Sequence, residues 1–333
     1  MNKKIRVAQF GIGVIGRGVT RVLAKKGGMK IVGAIDLANI GRDLGEVAGV
    51  GGKLGVKISS ETDKVLKKVK PHVVVHTTSS SLKKVYPELA KLIKAKVNVV
   101  SSCEELSYPY QKEPKLAARL DKLARQNGIT VLATGVNPGF LMDAWPLFMT
   151  GVCTEVKEVK ASRVQDASHR RIPFQEKIGA GKTRKEFEAL VKKGIIRHVG
   201  LPESVAMIAA GLGWELDKIT EVIKPIVYRK KVKSDYITVP PGRVAGVKQV
   251  GYGWRKGKKL ITLNFEASIG AGETYDSASI TGTPNMEVIV KGGTHGDIAT
   301  VAMLTNAIAK ILEVPPGLRT MKDLIISAVP NRA

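Results

Sequence analysis

Cysteine is scarce in this sequence: Cys103 and Cys153 stand fifty residues apart and no CxxC pair exists. That excludes a disulfide framework and a cysteine zinc site, and it fits a reducing compartment. Aromatic residues make up only 5%, too few for a platform on which nucleic-acid bases could stack. No run approaches the roughly 18 unbroken apolar residues that a membrane span needs. The opening Met1-Asn2-Lys3-Lys4 leads straight into Ile5-Arg6-Val7-Ala8, which is too short and too early for a secretory signal. A cytoplasmic globular protein without a bound metal is expected.

Acidic residues are the other shortage, with 29 Asp and Glu against 54 Lys and Arg, a formal net charge of +25. Such an excess can serve nucleic acid, a membrane surface or an acidic ligand. Here the lysines come as scattered pairs (Lys25-Lys26, Lys67-Lys68, Lys83-Lys84) on the backs of predicted helices, without interleaved aromatics. They read as a solvated surface, so neither a nucleic-acid nor a membrane partner is expected. Lysine enrichment also suits a thermophilic source.

What is present is a chain of 333 residues, 44% of them apolar, enough for two domains with real cores. Through residue 138, short β-branched runs alternate with helical spacing. Strands are expected at 4–10, 31–35, 56–58, 73–77, 97–100 and 129–133, and helices at 14–23, 61–69, 81–95 and 113–126, with Ser80 or Ser81 capping the third of these. Strand and helix repeated in this way give a parallel sheet covered on both faces, a Rossmann dinucleotide-binding domain. After Pro138 the period changes. Runs 156–164, 259–267 and the stripe Met286, Val288, Val290 alternate apolar with polar residues, as antiparallel strands with one wet face do. Helices at 183–193 and 202–211 lie between them. The fold class is therefore α/β, with a second α+β domain over 139–291 built on a largely antiparallel sheet. A final helix, 294–312, capped by Thr294 with Asp297 at the capping-box position, opens a segment 292–333 expected to pack back on the first domain.

The strongest local signal is Gly11-Ile-Gly-Val-Ile-Gly16-Arg17. It follows a strand, opens a helix, and has Asp36 twenty residues beyond Gly16, which is the context a dinucleotide site requires. Gly11 allows the tight turn, Gly13 the approach of the pyrophosphate to the backbone at Val14 and Ile15, and Gly16 the packing of helix on sheet. Asp36 suits the ribose hydroxyls of NAD, whereas Arg17 and Arg42 could neutralise the 2′-phosphate of NADP, so both cofactors stay open. Ligands gather at strand carboxyl ends, so Thr77, Thr78 and Ser79 after the fourth strand, Ser102 after the fifth, and Asn137 and Thr294 further on complete the expected cofactor contacts. Glu104, also after the fifth strand, is the candidate proton-transfer group. Cys103 beside it lacks an evident activating histidine and reads as packing. Phe140 and Trp145 can wall a pocket or pack a core. Arg163, Asp166 and His169, with Arg170 and Arg171, form a polar cluster at a strand end that could read a carboxylate and an ammonium group, or could be surface. His295 and Asp297 read as capping.

Together these stretches resemble the 2,4-diaminopentanoate dehydrogenases and the native amine dehydrogenases grouped with them, in a fold similar to dihydrodipicolinate reductase and homoserine dehydrogenase. The resemblance runs nearly the whole chain. It rests on Phe10-Gly-Ile-Gly-Val-Ile-Gly-Arg-Gly18, Ser101-Ser-Cys-Glu-Glu105, Thr134-Gly-Val-Asn-Pro-Gly-Phe140, Gln175-Glu-Lys-Ile-Gly-Ala-Gly181 and Gly293-Thr-His-Gly-Asp-Ile-Ala-Thr300. It implies reversible NAD(P)-dependent oxidative deamination of an amine that is not an α-amine. In the parent activity, 2,4-diaminopentanoate gives 2-amino-4-oxopentanoate and ammonia. The family's catalytic glutamate falls on Glu104 and its pocket tryptophan on Trp145, and a homodimer is expected. The HHxxKxD stretch of the reductases is absent, since His169-Arg170-Arg171 does not reproduce it. A reductase of cyclic imines and a non-catalytic dinucleotide-binding protein are the alternatives.

Overall fold

The computed structural model describes residues 4–328, and the chain divides into two compact units. One runs to Phe140 and resumes at His295; the other is Leu141–Thr294. The boundaries expected from sequence, after 138 and after 291, lie two and three residues earlier.

In the first unit the chain runs through β1 (Ile5–Phe10), α1 (Val14–Lys25), β2 (Met29–Ile35), α2 (Leu44–Ala48), β3 (Ile58–Ser59), α3 (Thr62–Val69), β4 (Val73–His76), α4 (Leu82–Lys94), β5 (Asn98–Ser101), α5 (Pro114–Asn127) and β6 (Thr130–Ala133). The second unit contains α6 (Ala144–Met149), β7 (Glu155–Asp166), α7 (Ile172–Lys177), α8 (Arg184–Lys192), α9 (Leu201–Gly211), β8 (Lys218–Val227), β9 (Val232–Lys233), β10 (Thr238–Val239), β11 (Val244–Arg255), β12 (Lys258–Ser268), β13 (Tyr275–Thr283) and β14 (Met286–Lys291). The chain then returns to the first unit with α10 (Gly296–Lys310) and β15 (Gly317–Arg319).

The first sheet has the order β3-β2-β1-β4-β5-β6-β15 and is parallel throughout. Its order reverses between β1 and β4, the switch point where doubly wound sheets bind ligands. Val73, Val74, Val75, Val99 and Val100 are fully buried, as strands covered on both faces should be. Helix α10 lies on α1: a Cβ on Gly18 would stand 2.6 Å from the Val301 side chain, so the absent side chain is what lets the two helices close up.

Three corrections to the sequence reading arise here. First, α10 starts at Gly296, and its cap is His295, whose ring accepts the Ile298 N–H, not Thr294. The Thr294 backbone is held elsewhere, its N–H by Asp276 at 2.8 Å. Second, no serine side chain caps α4. The Leu82 N–H donates to Glu105 Oε2 at 2.9 Å instead. Third, β7 and β12 run parallel to each other, although the six-stranded sheet of the second unit, β14-β13-β7-β12-β11-β8, is otherwise antiparallel. Between β7 and β12 the chain crosses over through three helices and two long strands, so β12 arrives pointing the same way.

Strand β12 buries Ile261, Leu263, Phe265 and Ala267 on one face, in the expected alternation. The stripe on β14 does not repeat it, because Val288, Ile289 and Val290 are all exposed on this edge strand. Several strands were hidden in the sequence, β8 and β11 the longest of them. β8 contains Pro225 and forms the opposite edge, where a missing N–H is tolerated. β11 carries Gly246, Gly251 and Gly253, and Cβ atoms on the last two would press into Leu201, Leu216 and Val205 at 2.9–3.3 Å. Among the described residues no helix is long and apolar enough to cross a membrane.

Candidate functional site

The carboxyl ends of the first unit's strands are tied into a continuous rim by backbone hydrogen bonds. Gly11 N–H donates to Ile35 at 2.9 Å, Thr77 to Phe10 at 2.8 Å, Ser102 to His76 at 2.9 Å and Thr134 to Ser101 at 2.9 Å. The glycine loop, Asp36, the Thr77 loop, the Ser102 loop and the loop after β6 therefore lie along one edge, spanning the switch point.

The glycine loop fits a dinucleotide. Gly11 has φ +85°, and a Cβ there would meet the Thr77 carbonyl oxygen at 2.6 Å. A Cβ on Gly16 would lie 2.0 Å from the Gly11 oxygen, so helix and strand meet through bare backbone. Above Gly13 the space is open, with nothing within 4 Å of a built Cβ. No side chain caps α1 and no acidic residue lies in its first turn, so its leading N–H groups and the helix dipole face that opening, which suits a pyrophosphate. Val14 is exposed and Ile15 half-buried beside it. The Asp36 carboxylate accepts the Ile12 N–H and, at 2.8 Å, the Ala38 N–H. It is fixed at the end of β2 with lone pairs left for a diol. Arg17 and Arg42 are exposed; Arg17 Nε donates to the Ile12 carbonyl at 3.1 Å and Arg42 to Asn39 at 3.2 Å.

Sequence reasoning missed Gln9. Its amide, 1% exposed on β1, donates to the Gly11 carbonyl and to Thr77 Oγ1, both at 2.9 Å, and Thr77 Oγ1 donates to Gly11 O at 2.8 Å. The glycine loop is thereby fastened to the loop after β4. Thr78 and Ser79 are turned to local work: Thr78 Oγ1 donates to Glu88 at 2.7 Å, and Ser79 Oγ accepts the Ser81 N–H at 3.3 Å. In the loop after β6, Val136 N–H reaches Thr300 on α10 at 3.3 Å, placing half-buried Asn137 and Phe140 at the same rim. Thr294 is the last residue of the second unit.

The two carboxylates after β5 have different surroundings. Glu105 binds the start of α4 through Leu82 and takes Lys112 Nζ at 2.6 Å. Burial raises its carboxyl pKa, but Lys112 and the Leu82 N–H outweigh that and hold it below the usual range. Glu105 is thus a structural anion. Glu104 is half-buried on the short 3-10 turn 104–106, beside the Ser102 loop. Cys103 is 1% exposed and burial pushes its thiol well up, so it packs and is no nucleophile. Native protein treated with iodoacetamide at pH 8 should therefore alkylate at half-buried Cys153 and spare Cys103; modification of Cys103 without unfolding would contradict this.

In the second unit the expected polar cluster disperses. Register places Asp276, Arg163, Phe265 and Gln249 side by side across four strands, and all four are at least 97% buried. Arg163 NH1 pairs with Asp276 Oδ1 at 3.1 Å, and NH2 donates to the Thr294 carbonyl at 2.6 Å. Asp166, three residues on, shapes a turn by accepting from Ser168 N–H at 2.9 Å and Gly270 N–H at 3.2 Å. His169 is exposed and pairs with Asp235 at 3.0 Å. Strand alternation sends Arg163 inward, and beyond Asp166 the chain stays buried at Ala167, Ser168 and Arg170 while His169 faces out. Asp276 and Gln249 were not singled out in the sequence, nor was His198, which packs on this row. His198 lies edge-on to Phe265 at 4.3 Å, and its backbone exchanges two hydrogen bonds with the Gln249 amide. Burial first, then nearby Lys177, pushes the His198 pKa down to about 3, so the ring is neutral. Trp145 opens α6 half-buried, and the helix is set by buried Asp143, which accepts Ala144 N–H at 2.6 Å and Ser204 Oγ at 2.7 Å. Among the described residues no group of three or more His, Cys, Asp or Glu could hold a metal.

Known proteins match both units. Residues 5–119 match the N-terminal family of dihydrodipicolinate reductase, and residues 140–331 the 2,4-diaminopentanoate dehydrogenase C-terminal domain. The 2,4-diaminopentanoate dehydrogenase of Acetoanaerobium sticklandii is 35% identical over 331 residues, covering 97% of this chain and 94% of that one. An amine dehydrogenase of Streptomyces virginiae is 23% identical over 96% of both chains. Among solved structures, the amine dehydrogenase from Mycobacterium smegmatis gives a TM-score of 0.81 at 25% identity, covering 99% of this chain and 98% of that one. A switch-point glycine loop with an acidic residue after β2, joined to a second unit of this kind, places the chain in the 2,4-diaminopentanoate dehydrogenase family, as an amine dehydrogenase working with a nicotinamide cofactor.

Proposed function

We propose that this enzyme catalyses reversible oxidative deamination of a non-α amine, with 2,4-diaminopentanoate going to 2-amino-4-oxopentanoate and ammonia. The observation that supports the reading is the place of Glu104, half-buried on the turn after β5 at the strand carboxyl ends, while its neighbour Glu105 is held by Leu82 and Lys112. When bound, the nicotinamide supplies a hydride acceptor for the substrate C–H. The amine must first be neutral, so Glu104 takes a proton from the substrate ammonium. It passes that proton to solvent, and the carboxylate, negative again, stabilises the cationic iminium. It next deprotonates the water that attacks the iminium carbon and returns a proton to the departing ammonia. The sum is amine, water and NAD(P)⁺ giving ketone, ammonia, NAD(P)H and a proton.

The test is NAD(P)⁺ reduction across an amine panel that includes 2,4-diaminopentanoate, with ammonia measured. Stoichiometric ammonia and reduced cofactor are expected. Turnover of a cyclic imine without ammonia would favour the reductase reading, and cofactor binding without any turnover a non-catalytic role.

Asp36 gives the cofactor preference a direction, since a carboxylate there welcomes a ribose diol and repels a 2′-phosphate. Asp36→Ser should raise the NADP⁺-to-NAD⁺ ratio of kcat/KM by about tenfold or more, roughly the worth of one charge contact. An unchanged ratio would remove Asp36 from that role. The same reading includes a cytoplasmic homodimer, for which the exposed Val288, Ile289 and Val290 of edge strand β14 offer an apolar surface.

A further inference from the structure

His76 ends β4 with no exposed surface, its ring edge-on to Phe10 at 5.4 Å. The histidine-threonine-serine loop looks in sequence like a lining for the nicotinamide, but this ring points into the protein. Its Nε2 lies 2.8 Å from Glu88 Oε2 on α4, and Thr78 Oγ1 donates to the same oxygen at 2.7 Å. Burial opposes the charge on Glu88, but the hydrogen bonds from His76 and Thr78 prevail and hold its carboxyl below the usual range. An ionised carboxylate only accepts, so Nε2 carries the proton and, in a neutral ring, Nδ1 is the acceptor. Nδ1 then takes the Ser101 hydroxyl at 3.0 Å, and Ser101 Oγ accepts the Cys103 N–H at 3.1 Å. Cys103, Ser101, His76 and Glu88 form one unbroken run in which each bond polarises the next.

Packing does not require this run. The rest of β4 and β5 is valine apart from Asn98, and an apolar filling would avoid the desolvation of three polar side chains. His76 and Ser101 stand at the strand ends where the rim loops begin, and the run stops on the residue before Glu104. On the far side Ser107 Oγ donates to the Glu104 carbonyl at 2.7 Å, and Glu105 N–H donates to Ser80 at 3.2 Å. The backbone that carries Glu104 is thus held from both directions.

We infer that Glu88, His76 and Ser101 are positioning residues that fix the aim of the Glu104 carboxylate through the Cys103 backbone; the inference rests on Glu104 being the proton-transfer group. A displacement of about 1 Å in such a group can cost up to roughly 10²-fold in rate. Ser101→Ala unhooks the last link while leaving the cofactor loop intact.

The experiment is a double-mutant cycle on the full-length protein, measuring kcat with 2,4-diaminopentanoate and the Kd for NAD(P)H by fluorescence. Ser101→Ala should lower kcat about tenfold and leave the cofactor Kd within about twofold. Glu88→Gln, whose amide oxygen still accepts from His76, should lower it less. In a Glu104→Gln background neither change should cost anything further, because their effect passes through the missing carboxylate. A full kcat for Ser101→Ala and Glu88→Gln, or the same loss repeated on top of Glu104→Gln, overturns the positioning role and leaves the catalytic one standing. Unimpaired turnover by Glu104→Gln alone overturns the catalytic role, and the positioning role with it. If Ser101→Ala does not fold, Glu88→Gln at the half-exposed flank of α4 completes the cycle and decides by the same outcomes.

Discussion

Glu104→Gln should lower kcat for amine oxidation by at least about 10²-fold, the low end of what general acid–base catalysis contributes, with cofactor affinity and melting temperature close to those of the parent protein. Glutamine keeps the size and hydrogen-bonding reach of the side chain but can neither take the ammonium proton nor offset the iminium charge. The matching change next door separates chemistry from structure. Glu105→Gln weakens the Lys112 pair and the anchoring of Leu82, so its effect should fall on stability while kcat stays within a few-fold. If the two variants exchange phenotypes, the assignment has been made to the wrong carboxylate. If Glu104→Gln retains most of its turnover with 2,4-diaminopentanoate, another group moves the proton and the deaminase mechanism loses its base.

How much of this site could be read before the fold was known depended on the range over which each residue acts. The glycine loop and Asp36 were legible because a strand, a tight turn and a helix follow one another in sequence, and the parallel sheet then fixes where its carboxyl edge lies. Glu104 was picked out by its place after the fifth strand and by the family resemblance. The part played by Glu105 was not, since its partner Leu82 lies 23 residues away and Ser81 occupies the position where a cap is normally sought. Thr294 misled for a similar reason: it has a capping side chain in the right place, but Asp276 and Arg163 hold its backbone. Gln9 and His198 work through Thr77 and Gln249, far along the chain, and Asp143, a local cap for α6, also takes Ser204 from 61 residues away. β8 and β11 stayed hidden because proline and glycine, signals of irregular chain, here mark an edge strand and a strand flattened against α9.

Arg163 carries the other large expectation, because its geometry sets it against the role its sequence position suggested. A guanidinium at a strand end is a natural reader of a substrate carboxylate. Here it is 2% exposed, opposite an Asp276 that is 1% exposed, and the two close a ring through the Thr294 backbone. Burial pushes the Asp276 carboxyl up and the Arg163 charge pulls it back, so each ion depends on the other. Arg163→Ala should therefore destabilise the protein by about 3–5 kcal/mol, the cost of leaving a buried charge uncompensated, which at roughly 2–4 °C per kcal/mol lowers the melting temperature by ~10 °C. Arg163→Met combined with Asp276→Leu should recover most of that loss, because a buried pair exchanged for apolar side chains of similar volume is often neutral or better. The competing role predicts the opposite pattern: an unchanged melting temperature for Arg163→Ala, a raised KM for 2,4-diaminopentanoate, and an unaltered KM for an amine without a carboxylate. Melting curves of the single and double variants, read beside those two KM values, decide between an arginine that holds the second unit together and one that reads the substrate.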